Sequence, residues 1–141
     1  MTARQATNAL QHTIFTRCNV SLSFDDANTL RRAELALQRW GEQECGDSNE
    51  HASWCIERDE DGKPYHMRQN YYSKHGQGQP QTIRYRIPDR ERGALRRIAE
   101  VCKRNGLHYF HQTDPRGCAL YVSNERLKDH DYSRGVACCA N

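Results

Sequence analysis

No stretch of this 141-residue chain approaches the roughly 18 consecutive apolar residues that a membrane-spanning helix needs. Apolar residues make up 36% of the total and the mean hydropathy is −1.02, so the core must be small and some stretches must face water. The opening residues Met1–Leu10 lack the charged-then-apolar signature of an export signal. No internal repeat stands out, and no metal, nucleotide or nucleophile motif appears at its usual spacing. Length alone argues against two independent cores and for one domain over 1–141.

What is present is cysteine and locally concentrated charge. The seven cysteines, at 18, 45, 55, 102, 118, 138 and 139, form an odd set, unlike an exported disulfide scaffold. They read as reduced thiols of a cytosolic protein, most of them packed as small hydrophobes. Aromatics at 9%, with seven tyrosines, argue against global disorder. The net charge of +3 hides an asymmetry: residues 81–106 hold eight Lys/Arg against three Asp/Glu, while the remainder is slightly acidic. An electrostatic partner is therefore to be sought at that segment.

Patterning predicts an α+β domain. Residues 1–12 are polar and predict a frayed end. The spacing of Ile14, Cys18, Val20 and Leu22 predicts a strand over 13–22. Residues 23–46 predict a helix capped by Ser23, with Asp25 and Asp26 in its positive first turn. Leu30, Ala33, Leu37 and Trp40 form its apolar stripe, and Gly46 its stop. A hairpin follows, with strands near 54–58 and 64–70 turning at Asp61-Gly62, then a Gly/Gln-rich loop over 71–81.

Residues 82–88 alternate Ile83, Tyr85 and Ile87 with Arg84 and Arg86, a half-buried strand with a basic outer face. A second helix spans 89–106, with Leu95, Ile98, Val101 and Cys102 inward and Arg90, Arg97 and Arg104 recurring every seven residues outside. Residues 107–112 and 118–122 predict a last hairpin, and the polar tail from 124 to 141 a surface-wrapping end. The expected order is β-α-β-β-β-α-β-β, with two helices on one face of an antiparallel sheet of five to six strands.

The segment HQTDPRGCALYV (His111–Val122) places turn residues where a turn needs them. Asp114 accepts from nearby backbone N–H groups, Pro115 sets φ, and Gly117 tolerates positive φ, which leaves Arg116 exposed at the tip. The run GLHYFHQTDPRGCALYV after an Arg-rich helix, with DEDGKPY and RWGEQECG, resembles small proteins encoded by tailed phages and prophages. The resemblance is specific for about 106–122 and looser for 40–65. It implies an accessory gene expressed in a bacterial cytoplasm, and it supplies no catalytic residues.

Three constellations carry possible chemistry. Cys45, His51, Cys55 and His66 offer a nitrogen–sulfur set suited to Zn²⁺, but their gaps of ten and eleven residues replace the close pairs of structural zinc sites. The adjacent Cys138 and Cys139 rarely converge on one ion. The triplets HAS (51–53) and HQT (111–113) resemble the paired His-x-Ser/Thr of the 2H phosphoesterases, which needs His51 and His111 to meet at one phosphate. Asp114, where that family has an apolar residue, departs from the pattern.

The arginine series is the strongest of the three. Arg84, Arg86, Arg90, Arg92, Arg96, Arg97, Lys103 and Arg104, with Arg116 nearby, exceed the acids available to pair with them. A guanidinium fork suits carboxylate or phosphate equally. The leading expectation is a non-enzymatic binding protein without cofactor, acting in the host cytoplasm. Its basic surface would dock on a host protein or ribonucleoprotein complex and inhibit a defence system, as an anti-CRISPR protein does. A nucleic-acid-binding accessory protein, meeting DNA or RNA directly, and a phosphoesterase acting on nucleotides are the alternatives.

Overall fold

Thr2 opens a helix where a frayed end was expected. Its hydroxyl accepts from the Gln5 N–H at 3.1 Å, and the Gln5 carboxamide accepts from the Thr2 N–H at 2.8 Å, a reciprocal capping box. Helix α1 runs Ala3–Cys18 and ends on Asn19, whose left-handed φ of 56° returns its N–H to the Phe15 carbonyl at 3.0 Å. These features come from a computed structural model that describes residues 1–45, 52–58, 64–71, 81–86, 89–113, 118–127 and 134–139.

The strand expected over 13–22 is thus mostly helix, for a simple reason of periodicity. Ile14 and Cys18 satisfy a two-residue repeat, but they also continue the series Ala6, Leu10, Ile14, Cys18. Residues four apart share one helix face, and here that whole face is buried. Val20 and Leu22 follow after the cap, outside any strand.

Helix α2 (Phe24–Cys45) begins as its sequence implies, with the Ser23 hydroxyl accepting from the Asp26 N–H at 3.0 Å. Leu30, Ala33, Leu37 and Trp40 are all buried, as the stripe requires. Helices α1 and α2 run antiparallel. Gln11 Nε2 donates to the Leu22 carbonyl at 3.0 Å, and Arg31 Nε to the Thr7 hydroxyl at 3.1 Å. Helix α3 (Asp89–Asn105) lies antiparallel to α2 and ends at Gly106, where φ is +66° and the Leu107 N–H closes on the Cys102 carbonyl at 2.9 Å. A side chain at that φ is strained, which is why glycine ends this helix.

Among the described residues the strands form two small sheets, not one of five to six strands. The first contains β1 (Ala52–Arg58), β2 (Pro64–Tyr71) and β3 (Gln81–Arg86), with the two-residue β5 (Gln112–Thr113) on the free edge of β1, all antiparallel. The second joins β4 (His108–Phe110), β6 (Tyr121–Ser123) and β7 (Val136–Ala137), also antiparallel. The observed order is therefore α-α-β-β-β-α-β-β-β-β, with three helices where two were expected.

The hairpin expected between 107–112 and 118–122 survives only in part. His108–Phe110 does pair with Tyr121–Ser123, but past His111 the chain leaves that partner and adds to β1. The turn at Asp61-Gly62 and the turn at Asp114–Gly117 lie outside the described residues.

The core is where the three helices meet the second sheet. Leu30, Leu37 and Trp40 of α2 join Ile14 of α1, Ile98 and Val101 of α3, Val122 and Val136 of the strands, and Leu120 just before β6. The tail contributes core as well as surface: Val136 and Cys138 are buried, and Arg17 holds the approach to β7 through the Arg134 carbonyl at 2.6 Å and the Gly135 carbonyl at 3.3 Å. No helix among the described residues is long and apolar enough to cross a membrane.

The helical N-terminus makes neighbouring positions unequal. Ile14 is 0% exposed and Phe15 54%. Ile14→Ala is expected to cost about 2–5 kcal/mol of stability in a urea titration, whereas Phe15→Ala stays within about 0.5 kcal/mol. Equal effects at both positions would contradict the helix.

Candidate functional site

Helix α2 presents two chemically opposite faces. On its outer side Arg31, Arg32 and Arg39 recur within two to three turns, and the antiparallel α3 brings Arg97 alongside them. The four arginines line an open groove of about 570 Å³ between the helices, together with Asn28, Thr29 and the short side chains of Ala33 and Ala36. A second, wider groove of about 770 Å³ between α1 and α2 shares Asn28, Arg31 and Arg32 and adds Arg4, Asn8 and Phe24.

Among the described residues no carboxylate lines either groove. Among the described residues none of Arg4, Arg31, Arg32, Arg39 and Arg97 forms an ion pair with an acidic side chain. Arg31 is nevertheless held in place, by Thr7 and by the Asn28 carboxamide oxygen at 3.0 Å. An anchored guanidinium loses less freedom on meeting an anion than a loose one does.

The structure redistributes the arginines singled out in the sequence. Arg97 is exposed and belongs to the groove. Arg104, on the same α3 face, does not join it. Its Nη2 meets Asp26 Oδ1 of α2 at 2.8 Å, while Asn105 Nδ2 donates to Asp26 Oδ2 at 3.0 Å. Arg104 is thereby occupied by the chain's own carboxylate.

On β3, Arg84 stands in register with Arg68 and Arg86 with His66, a concentration of basic positions on one face of the ladder. Arg90 lies in the first turn of α3. Arg116 lies outside the described residues. Arg4, Arg31, Arg32 and Arg39 were missed because the local charge count favoured 81–106, and α2 is acidic overall. The Arg31-Arg32 pair and Arg39, about two turns on, were the available signal.

Three of the four metal candidates fall on different elements. Cys45 ends α2, Cys55 pairs with Arg68 and His66 with Glu57 across β1 and β2, and His51 lies outside the described residues. Among the described residues no three His, Cys, Asp or Glu side chains are placed to hold a metal ion. For the phosphoesterase pair, His111 is buried at 3% exposure, with its ring edge-on to Tyr109 at 5.3 Å.

The inner face of α2 carries a residue that the apolar stripe concealed. Glu34 is fully buried between Leu30 and Leu37. Its Oε1 accepts from the Ala119 N–H at 3.0 Å and from the Gln38 carboxamide. Burial pushes its carboxyl above the ordinary value of 4.5, opposed by the Ala119 N–H, by Gln38 and by the neighbouring Cys118 thiol. The signal was present in the sequence: Glu34 lies four residues after Leu30 and three before Leu37, inside the stripe.

Four of the described cysteines, Cys18, Cys102, Cys118 and Cys138, are buried as small hydrophobes. Cys139, by contrast, is half-buried.

Two pH dependences follow, of opposite sign. Asp26 is held below its ordinary 3.8, first by the Asn105 hydrogen bond and then by Arg104, with partial burial opposing. Its contribution is whole above that value and fades as the pH falls through the lowered one. Asp26→Ala is therefore expected to cost about 1 kcal/mol near neutrality and to converge on the parent in acid denaturation. Glu34 is raised, so ionising it opposes folding as the pH climbs through its shifted value. Glu34→Gln keeps an oxygen for the Ala119 N–H and should gain stability relative to the parent as the pH rises above the ordinary 4.5, read as a urea midpoint. Glu34→Ala strands that N–H and should lose about 1–3 kcal/mol.

Compared with protein-family models, with curated proteins and with solved structures, the chain finds no match.

Proposed function

We propose that the chain is a non-enzymatic binding protein, of phage or prophage origin and acting in the host cytoplasm, that inhibits a host defence complex by occupying a polyanion-recognising or acidic surface on it. The observation that carries this reading is the groove of Arg31, Arg32, Arg39 and Arg97, which no carboxylate among the described residues lines. Unneutralised guanidinium groups on a rigid helical frame are costly to keep so close together unless an external anion offsets their repulsion. Inhibition of this kind works by occupancy and needs no reactive centre. The interface differs from the one the sequence suggested: it is centred on α2, with Arg97 as the shared member.

A second reading, direct binding of single-stranded nucleic acid, is favoured by one observation. Phe24 is 39% exposed and lines the α1–α2 groove beside Arg4, Arg31 and Arg32. An exposed aromatic ring flanked by arginines suits a stacked base with its phosphates on either side. No comparable observation favours the phosphoesterase.

A mobility-shift series with single-stranded oligonucleotides across a range of salt separates the two readings. Direct binding predicts steep salt dependence whose log–log slope falls by about 2–3 when Arg32, Arg39 and Arg97 are all replaced by alanine. Inhibition of a complex predicts no shift with naked nucleic acid, and co-purification of host proteins from bacterial lysate that the same triple replacement abolishes. A triple variant that behaves like the parent in both assays removes the groove from the function.

A further inference from the structure

The groove between α1 and α2 holds its central arginine more firmly than a charged surface requires. Arg31 is anchored through Thr7, which is 0% exposed: the Thr7 hydroxyl accepts from Arg31 Nε at 3.1 Å and donates to the Ala3 carbonyl at 2.9 Å. Arg31 Nη2 donates to Asn28 Oδ1 at 3.0 Å. Two of the three guanidinium nitrogens are thus spent on the protein. That fixes the group in place and leaves, among the described residues, Nη1 for a ligand. Arg4 of α1 and Arg32 of α2 are exposed and line the same groove.

We propose that this groove binds a free nucleotide carrying two or more phosphates, with the base on the Phe24 ring and the phosphates on Arg4, Arg31 and Arg32. Phe24 is 39% exposed. It shares one face of α2 with Arg31, seven residues on and about 10 Å along the helix axis. A base stacked at the first and a phosphate bound at the second belong to one small molecule. Among the described residues, the hydrogen bonds already made leave a donor and an acceptor beside the ring. Asn28 Oδ1 is taken by Arg31, so its Nδ2 remains; Gln11 Nε2 is taken by the Leu22 carbonyl at 3.0 Å, so its Oε1 remains. Base edges present groups of both kinds.

Charge favours a free nucleotide over a stretch of strand. A terminal phosphate carries about −1.5 to −2 at neutral pH, and each further phosphate of the chain adds to it. A di- or triphosphate therefore matches three guanidinium groups gathered in one groove. A strand brings one phosphate charge per nucleotide, so the same three arginines would need three nucleotides, each with a base to accommodate. Phe24 is the one aromatic residue lining the groove among the described residues. A nucleotide held here needs neither Arg39 nor Arg97 and no macromolecular partner, so this site goes beyond both readings above.

The test is calorimetric titration of the full chain with ATP, GTP, adenosine, tripolyphosphate and a short single-stranded oligonucleotide without terminal phosphates. The expected result is saturable binding of ATP or GTP, about tenfold or more tighter than adenosine or tripolyphosphate. Phe24→Ala should weaken the nucleotide about fivefold or more and leave tripolyphosphate unchanged. Arg4→Ala combined with Arg32→Ala should weaken both about tenfold or more. Tripolyphosphate binding as tightly as the nucleotides, no effect of Phe24→Ala, or no saturable nucleotide binding would overturn the proposal. Binding of the oligonucleotide alone overturns it too, while leaving the direct-binding reading intact; binding of nucleotides without the oligonucleotide does the reverse. The ligand comparison on the parent protein decides by itself. The three replaced side chains are exposed, so a thermal melt separates a lost site from a lost fold.

Discussion

The structure depends most on a carboxyl group placed where water cannot reach it. Glu34 projects from the middle of α2 into the core and ties the helix to the Ala119 backbone. Only its Oε1 finds hydrogen-bond partners in the core, so losing the Ala119 bond would be costly, and this bond specifies the position of the segment entering β6 more sharply than the surrounding aliphatic contacts can. Leucine against valine permits sliding; an oxygen against an N–H does not.

With α2 oriented by that bond, its opposite side is oriented too. Arg31, Arg32 and Arg39 must face outward because Leu30, Ala33, Glu34, Leu37 and Trp40 face inward. The Asp26 contacts with Arg104 and Asn105 set α3 antiparallel against it, which delivers Arg97 to the same groove. One acidic residue at the start of α2 thus removes one arginine from the basic surface while positioning another in it. A count of charges along the chain treats the two alike, although only one is available to a partner.

Much of the local structure was legible. The Ser23 cap, the stripe of α2, the 54–58/64–70 hairpin, the strand at Arg84 and Arg86, and the end of α3 at Gly106 all rest on short-range rules, and each is found. Helix α1 was misread because Ile14 and Cys18 fit both a two- and a four-residue repeat, and only Ala6 and Leu10, in a stretch too polar to suggest burial, decide between them. The break at His111 was invisible, since nothing in HYFHQT marks where a strand changes partner.

The sequence by itself determined the cap of α2, the apolar faces and the excess of arginine, because these depend on neighbours a few residues away. Tertiary structure alone decided which arginines are neutralised and which glutamate is buried. The reason is distance along the chain. Asp26 and Arg104 are 78 residues apart, and Glu34 and Ala119 are 85. Contacts of that span are chosen by the packing of whole helices and strands, and no local pattern encodes them.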